Sequence, residues 1–181
     1  MTKNLFFAIF IALSAVLSLT SCTDEKKEMI ESLNYKKACE LKDFQTAYEI
    51  VDILKEKTSE AKVNMERVND GDWSWSREAR AEYTEAVKKS QEAERYVVLQ
   101  ESLMVLESEG TNGLMRIVGI AKEHNAESWL YSELHDVANK IGDTDLAEKI
   151  QNMINSERKK ESMIQDSEEL DIDMGSMMDT E

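Results

Sequence analysis

Not one proline occurs in the 181 residues, where average usage would place roughly nine. A fold built from many short strands spends prolines at its turns and edges, so their absence argues against a turn-dense β-sandwich. Long uninterrupted helices tolerate it without cost. Six glycines exclude a collagen-like chain and two cysteines exclude a disulfide scaffold.

Hydrophobic spacing gives the same answer. Ala47, Val51, Leu54, Thr58, Ala61, Met65 and Val68 recur at intervals of 4 and 3, which is the seam of a helix packed lengthwise on another. A second seam runs through Ala79, Tyr83, Ala86, Ser90, Ala93 and Val97. From Tyr96 a further stripe opens at Leu99, Leu103 and Leu106, so this end is expected to be covered on two sides. The two long helices, from about Asp43 to Val68 and Ser76 to Ser108, enclose the polar break Asn69-Asp70-Gly71-Asp72 and form a long central helical hairpin. A first helix is expected over Glu25 to Leu41.

Three shorter helices complete the domain: one to about His124, one capped by Asn125 with Leu130, Leu134, Ala138 and Ile141 inward, and one starting at Asp143. Gly142 suits a left-handed helix terminus. The fold class expected is all-α, as a helical bundle or a short helical-repeat array.

A repeat test supports keeping the second option. Ala38, Leu41, Asp43, Ala47 and Ile50 align with Ala138, Ile141, Asp143, Ala147 and Ile150 at a constant offset of 100. The segments 41–47 and 141–147 resemble the turn that joins the paired helices of a tetratricopeptide repeat. Lys42 stands where that turn usually has glycine, Thr144 where it usually has an aromatic, and the long helices keep no period of 34 residues.

The ends of the chain are set apart from this domain. Lys3 precedes an apolar run, Leu5 to Leu19, that is long enough for a signal-peptide core and short for a membrane span. The run ends in Leu19-Thr20-Ser21-Cys22, which resembles the lipobox of bacterial lipoproteins. That resemblance implies removal of residues 1–21, with Leu19, Thr20 and Ser21 read by the signal peptidase, and acylation of Cys22. Small residues before the cysteine let the backbone lie extended in a protease groove, and a thiol is nucleophilic enough to accept the lipid. The acid-rich residues 22–28 read as a lipidated tether and resemble the surface-export signal of Bacteroidota lipoproteins. The location implied is the cell envelope, anchored by lipid to the outer membrane on its periplasmic or outer face. The domain proper then covers 29–164. Residues 165–181, with seven acids and no base, read as an acidic disordered tail.

Charge and motifs limit the function. A formal net charge of −15, becoming −16 once Lys3 is removed, excludes a nucleic-acid backbone as partner. Only His124 and His135 are available as histidines, without the same-face spacing of a zinc site, so neither metal nor cofactor is expected. No nucleophile elbow or phosphate-binding loop is present, and the chain reads as noncatalytic. Cys39, the one other cysteine, reads as a buried helix-face thiol.

Trp73 and Trp75, flanking Ser74 at the hairpin tip, are candidate partner contacts, because exposed indoles at loops anchor interfaces; the alternative is that one of them closes the hairpin end. Three functional readings follow. The first is an envelope lipoprotein acting as a protein-interaction module toward a partner with a basic surface. The second is an immunity or exclusion lipoprotein that neutralises a basic effector. The third is an accessory carbohydrate-binding lipoprotein using the two indoles.

Overall fold

Helix covers 91% of the residues described, and none of them is in a strand. The computed structural model describes residues 24–68, 76–156 and 158–159. In chain order the elements are α1 (24–31), α2 (Tyr35–Glu40), α3 (Phe44–Val68), α4 (Arg77–Glu109), a 3-10 turn (Gly110–Gly113), α5 (Leu114–Glu123), α6 (Glu127–Ile141) and α7 (144–156). The chain divides into two units, Met1–Glu101 and Ser102–Glu181, and α4 contributes residues to both.

The first unit is built on the long hairpin. Tyr48 donates its hydroxyl hydrogen to Glu101 at 2.8 Å, and Lys55 meets Glu94 at 2.6 Å. One heptad forward on α3 thus corresponds to one heptad back on α4, which fixes an antiparallel register. Beneath these contacts Ala47, Ile50, Val51 and Leu54 of α3 pack with Ala93 and Val97 of α4. Met29, Ala38 and Cys39 from α1 and α2 close the same core. Tyr35 and Tyr96 add an edge-to-face ring pair with centroids 5.6 Å apart.

The helix expected over Glu25 to Leu41 is broken in two. Leu33 adopts a left-handed backbone with φ 53°, and Asn34 caps α2 by accepting from the Lys37 N–H at 3.1 Å. The break lets α2 fold back instead of running on. Residues 24–28, expected as tether, are therefore part of α1: Lys26 meets Glu49 at 3.0 Å and Glu25 meets Lys37 at 3.3 Å.

The second unit buries Ser102, Val105, Ile117, Ala121, Leu130, Tyr131, Leu134, Ala138, Leu146, Ala147 and Ile150. Its turn after α4 is tight. A Cβ on Gly113 would stand 2.5 Å from Val105 Cγ1, so only glycine fits there. Ser102, fully buried, and Val105 occupy interior positions that the stripe Leu99, Leu103 and Leu106 was expected to fill, and those leucines are half-buried. Asn125 is not the cap of α6. It takes the left-handed position with φ 49°, and Ala126 opens the helix. Ile141, expected inward, is 67% exposed.

One turn geometry joins four helix pairs. Asn34 donates to the Met29 carbonyl, Asp43 to Ala38, Ala126 to Ala121 and Asp143 to Ala138, at 2.7 to 3.0 Å. The residue just before each donor, namely Leu33, Lys42, Asn125 or Gly142, has positive φ. This is a Schellman closure whose last residue opens the next helix, so each connection occupies only two or three residues. The copies at offset 100 agree in detail: Asp43 and Asp143 accept from the N–H three residues on at 3.1 and 3.0 Å. Glycine at 142 takes its φ of 76° without strain, whereas Lys42 holds 60° against the Cβ penalty.

Asp43 supplies a pH-dependent contribution to this arrangement. Its carboxylate is held below the ordinary range first by the Thr46 hydroxyl, which donates to it at 2.6 Å, then by the Thr46 N–H and Lys26, against the opposing effect of burial. A lowered folded pKa contributes stability above the unfolded value of about 3.9, and loses it as pH falls through the folded one. Asp43→Ala is expected to cost about 0.5–2 kcal/mol at pH 7 and less at pH 3. Urea denaturation at the two pH values checks this; an equal cost at both would remove the carboxylate from the explanation.

Candidate functional site

The residues singled out for function, Leu19, Thr20, Ser21, Cys22, Trp73 and Trp75, lie outside the described residues, as does the acidic segment 165–181. Their neighbours are described. α1 begins at Asp24, two residues after Cys22, and the connection holding both indoles spans 69–76 between the ends of α3 and α4.

The hairpin is covered at its base and open beyond it. α1 and α2 pack over Ala47 to Leu54, and Leu33 marks the edge of that cover. From there a groove of about 560 Å³ follows the α3–α4 seam. Leu54, Ala61 and Ala86 form its apolar surface, and Lys57, Glu60, Asn64, Glu82, Glu85 and Lys89 surround it. Lys89 is engaged by Glu85 at 3.4 Å. Ala61 and Ala86 remain half-buried although both are seam residues. Two small side chains at facing positions leave the space, and among the described residues of this unit no third helix reaches far enough to fill it. The heptad pattern signalled the seam, but the missing cover is a tertiary fact without a local signature. Further along the same helix Val63 is 62% exposed.

Groups capable of chemistry are few. Among the described residues no three His, Cys, Asp or Glu side chains come together as a metal-binding group. His135 lies 4.0 Å from Asp136 and 3.2 Å from the Asn139 amide, an arrangement within a single helix. No helix among the described residues is long and apolar enough to cross a membrane; the apolar run 5–19 is not among them.

Cys39 is buried, and burial first, then Glu101 and Glu40, push its thiol up to about 11. At pH 7 roughly one such thiol in ten thousand is ionised, and the thiolate is the reactive form. In a Cys22→Ala chain, where Cys39 is the remaining cysteine, a neutral aromatic disulfide reagent is expected to leave the folded protein untouched. It should titrate one thiol per chain after denaturation. Stoichiometric reaction of the folded chain within minutes at pH 7 would show that the thiol is accessible and argue against a packing role.

Comparison with protein-family models, with curated proteins and with solved structures finds no match.

Proposed function

We propose that this chain is a membrane-anchored cell-envelope lipoprotein whose helical domain is a noncatalytic protein-interaction module. The observation that carries this reading is Leu19-Thr20-Ser21-Cys22 closing the apolar run Leu5 to Leu19. Acylated Cys22 holds the chain in the bilayer, and the first unit offers its hairpin to a protein partner. Support for the second part comes from the α3–α4 groove and from Trp73 and Trp75 in the sequence that connects these two helices. Large rigid aromatic side chains and a partly apolar groove are both features of interfaces in which a few anchors dominate affinity.

The partner proposed has a basic surface, because a net charge of −15 accelerates encounter with cations and penalises acidic competitors. Such capture weakens as salt rises, with a Debye length near 10 Å at 0.1 M.

Affinity capture from solubilised envelopes tests the reading, using the wild type, Trp73→Ala plus Trp75→Ala, and a chain ending at Ile164. The wild type is expected to retain a basic protein, and loss of two anchors at about 2 kcal/mol or more each reduces retention by well over tenfold. Equal capture by the wild type and the two-Trp variant would exclude the indoles as contacts. Retention lost only on truncation would transfer the partner site to the acidic tail.

A further inference from the structure

We infer that the end of the first unit formed by the α1 N-terminus and the α2–α3 turn is a membrane-contact surface, where Leu41 enters the headgroup layer of a phospholipid bilayer and Lys42 meets its phosphates. This rests on acylation of Cys22 as proposed above. One residue separates Cys22 from Asp24, so the two Cα atoms lie within about 7 Å of each other. Asp24 already belongs to α1, and α1 is fixed to the unit. Met29 is buried, Lys26 pairs with Glu49, and Glu25 pairs with Lys37. An anchor on so short a leash keeps this end of the unit at the bilayer surface.

The α2–α3 turn sits at that end, since the first turn of α1 is tied to the helices on both sides of it: Glu25 pairs with Lys37 of α2 at 3.3 Å and Lys26 with Glu49 near the start of α3 at 3.0 Å. The turn presents Leu41, 51% exposed, beside exposed Lys42 with its left-handed backbone. An apolar side chain next to a lysine matches the interfacial layer: the leucine enters the acyl boundary while the lysine stem lies along it and its ammonium reaches phosphate. Ile141 is even more exposed at the matching position of the second unit, 67%, so exposure alone does not single out Leu41; the short connection to the anchor does. Charge permits the contact. Residues 24–43 carry five lysines against six acids, close to balance in a strongly acidic chain.

The test uses the full acylated protein in vesicles of phosphatidylethanolamine and phosphatidylglycerol. A polarity-sensitive fluorophore is attached at Leu41→Cys, Lys42→Cys or, in a third preparation, Val63→Cys. Val63 lies about 28 Å along α3 from its start. The unsubstituted chain serves as the blank, because buried Cys39 is expected to stay unlabelled. The inference expects emission at positions 41 and 42 to move to shorter wavelength and to be quenched by a nitroxide-bearing phospholipid, with position 63 unaffected. Water-like emission at 41 and 42 on vesicle-bound, acylated protein would overturn the contact and leave lipidation standing. Quenching at all three positions would lay the hairpin flat on the bilayer and overturn the end-on contact. Protein recovered without an acyl group, off the vesicles, would overturn both.

Discussion

Ile50→Ala is expected to lower the stability of the first unit by about 2–5 kcal/mol, and Ile150→Ala that of the second by a comparable amount. Both side chains are fully buried. Each stands seven residues after an aspartate that caps its helix, two turns into a helix entered through the same closure. Alanine removes three carbons from each site. The cost combines lost transfer energy with a cavity whose walls collapse only partly, because Ala38, Ala47 and Val97 around Ile50 are themselves small or β-branched and have little reach. At roughly 2–4 °C per kcal/mol for a chain of this size, the midpoint should fall by several degrees or more, measured by circular dichroism during thermal unfolding. Leu41→Ala and Ile141→Ala provide the contrast. These residues occupy a matching pair of positions but are exposed, so each should stay within about 0.5 kcal/mol of the parent. A cost under 0.5 kcal/mol at Ile50 would mean that the α1–α2 cover does not pack on α3 as described.

That contrast marks where the sequence was legible and where it was not. Periodicity identified the seam positions Ala47, Val51, Leu54, Met65, Ala79, Ala93 and Val97, all of which are buried, because a long helix repeats its inner face and the repeat can be counted. The caps Asp43 and Asp143 were readable for a similar reason: a short side-chain acceptor ahead of an apolar helix has one local use. Leu33 was not readable. Leucine is a poor left-handed residue, and the backbone accepts it there only because the Asn34 cap and the packing of Met29 and Ala38 on either side outweigh the local penalty. Asn125 could serve as cap or as left-handed terminus, and the Ala126 N–H to Ala121 carbonyl bond at 2.7 Å decides for the second. Ser102 lost to Leu99 and Leu103 in any ranking by hydropathy, yet it faces inward and they lie half out. The candidate site shows the same limit. The lipobox-like Leu19-Thr20-Ser21-Cys22 and the indoles are written in the chain, whereas the groove opens where the cover that α1 and α2 give the seam stops, at Leu33 between them.

Cys22→Ala is expected to abolish incorporation of labelled palmitate entirely, an effect larger than any change in the folded domain. A single acyl chain gives only marginal, reversible membrane binding, but each further buried methylene adds about 0.8 kcal/mol, and two or three chains on one residue make release negligible on cellular timescales. Wild-type protein should therefore pellet with membranes and stay there through high-salt and alkaline washes, since a lipid anchor is indifferent to Debye screening. An acidic domain adsorbed through ion pairs would be stripped by the same treatment. The variant is not expected to behave as a clean soluble protein, because on the lipoprotein reading cleavage requires Cys22 and the run Leu5 to Leu19 would stay attached. Fifteen residues are fewer than the roughly 20 needed to cross a hydrocarbon core of about 30 Å, so that segment is expected to hold the membrane poorly and part of the variant should wash off. Globomycin on wild-type cells separates the two steps: acylation occurs, cleavage does not, and a larger labelled precursor accumulates. Palmitate on the Cys22→Ala chain, or none on the wild type, would sink the lipoprotein reading, and the membrane-contact surface would fall with it.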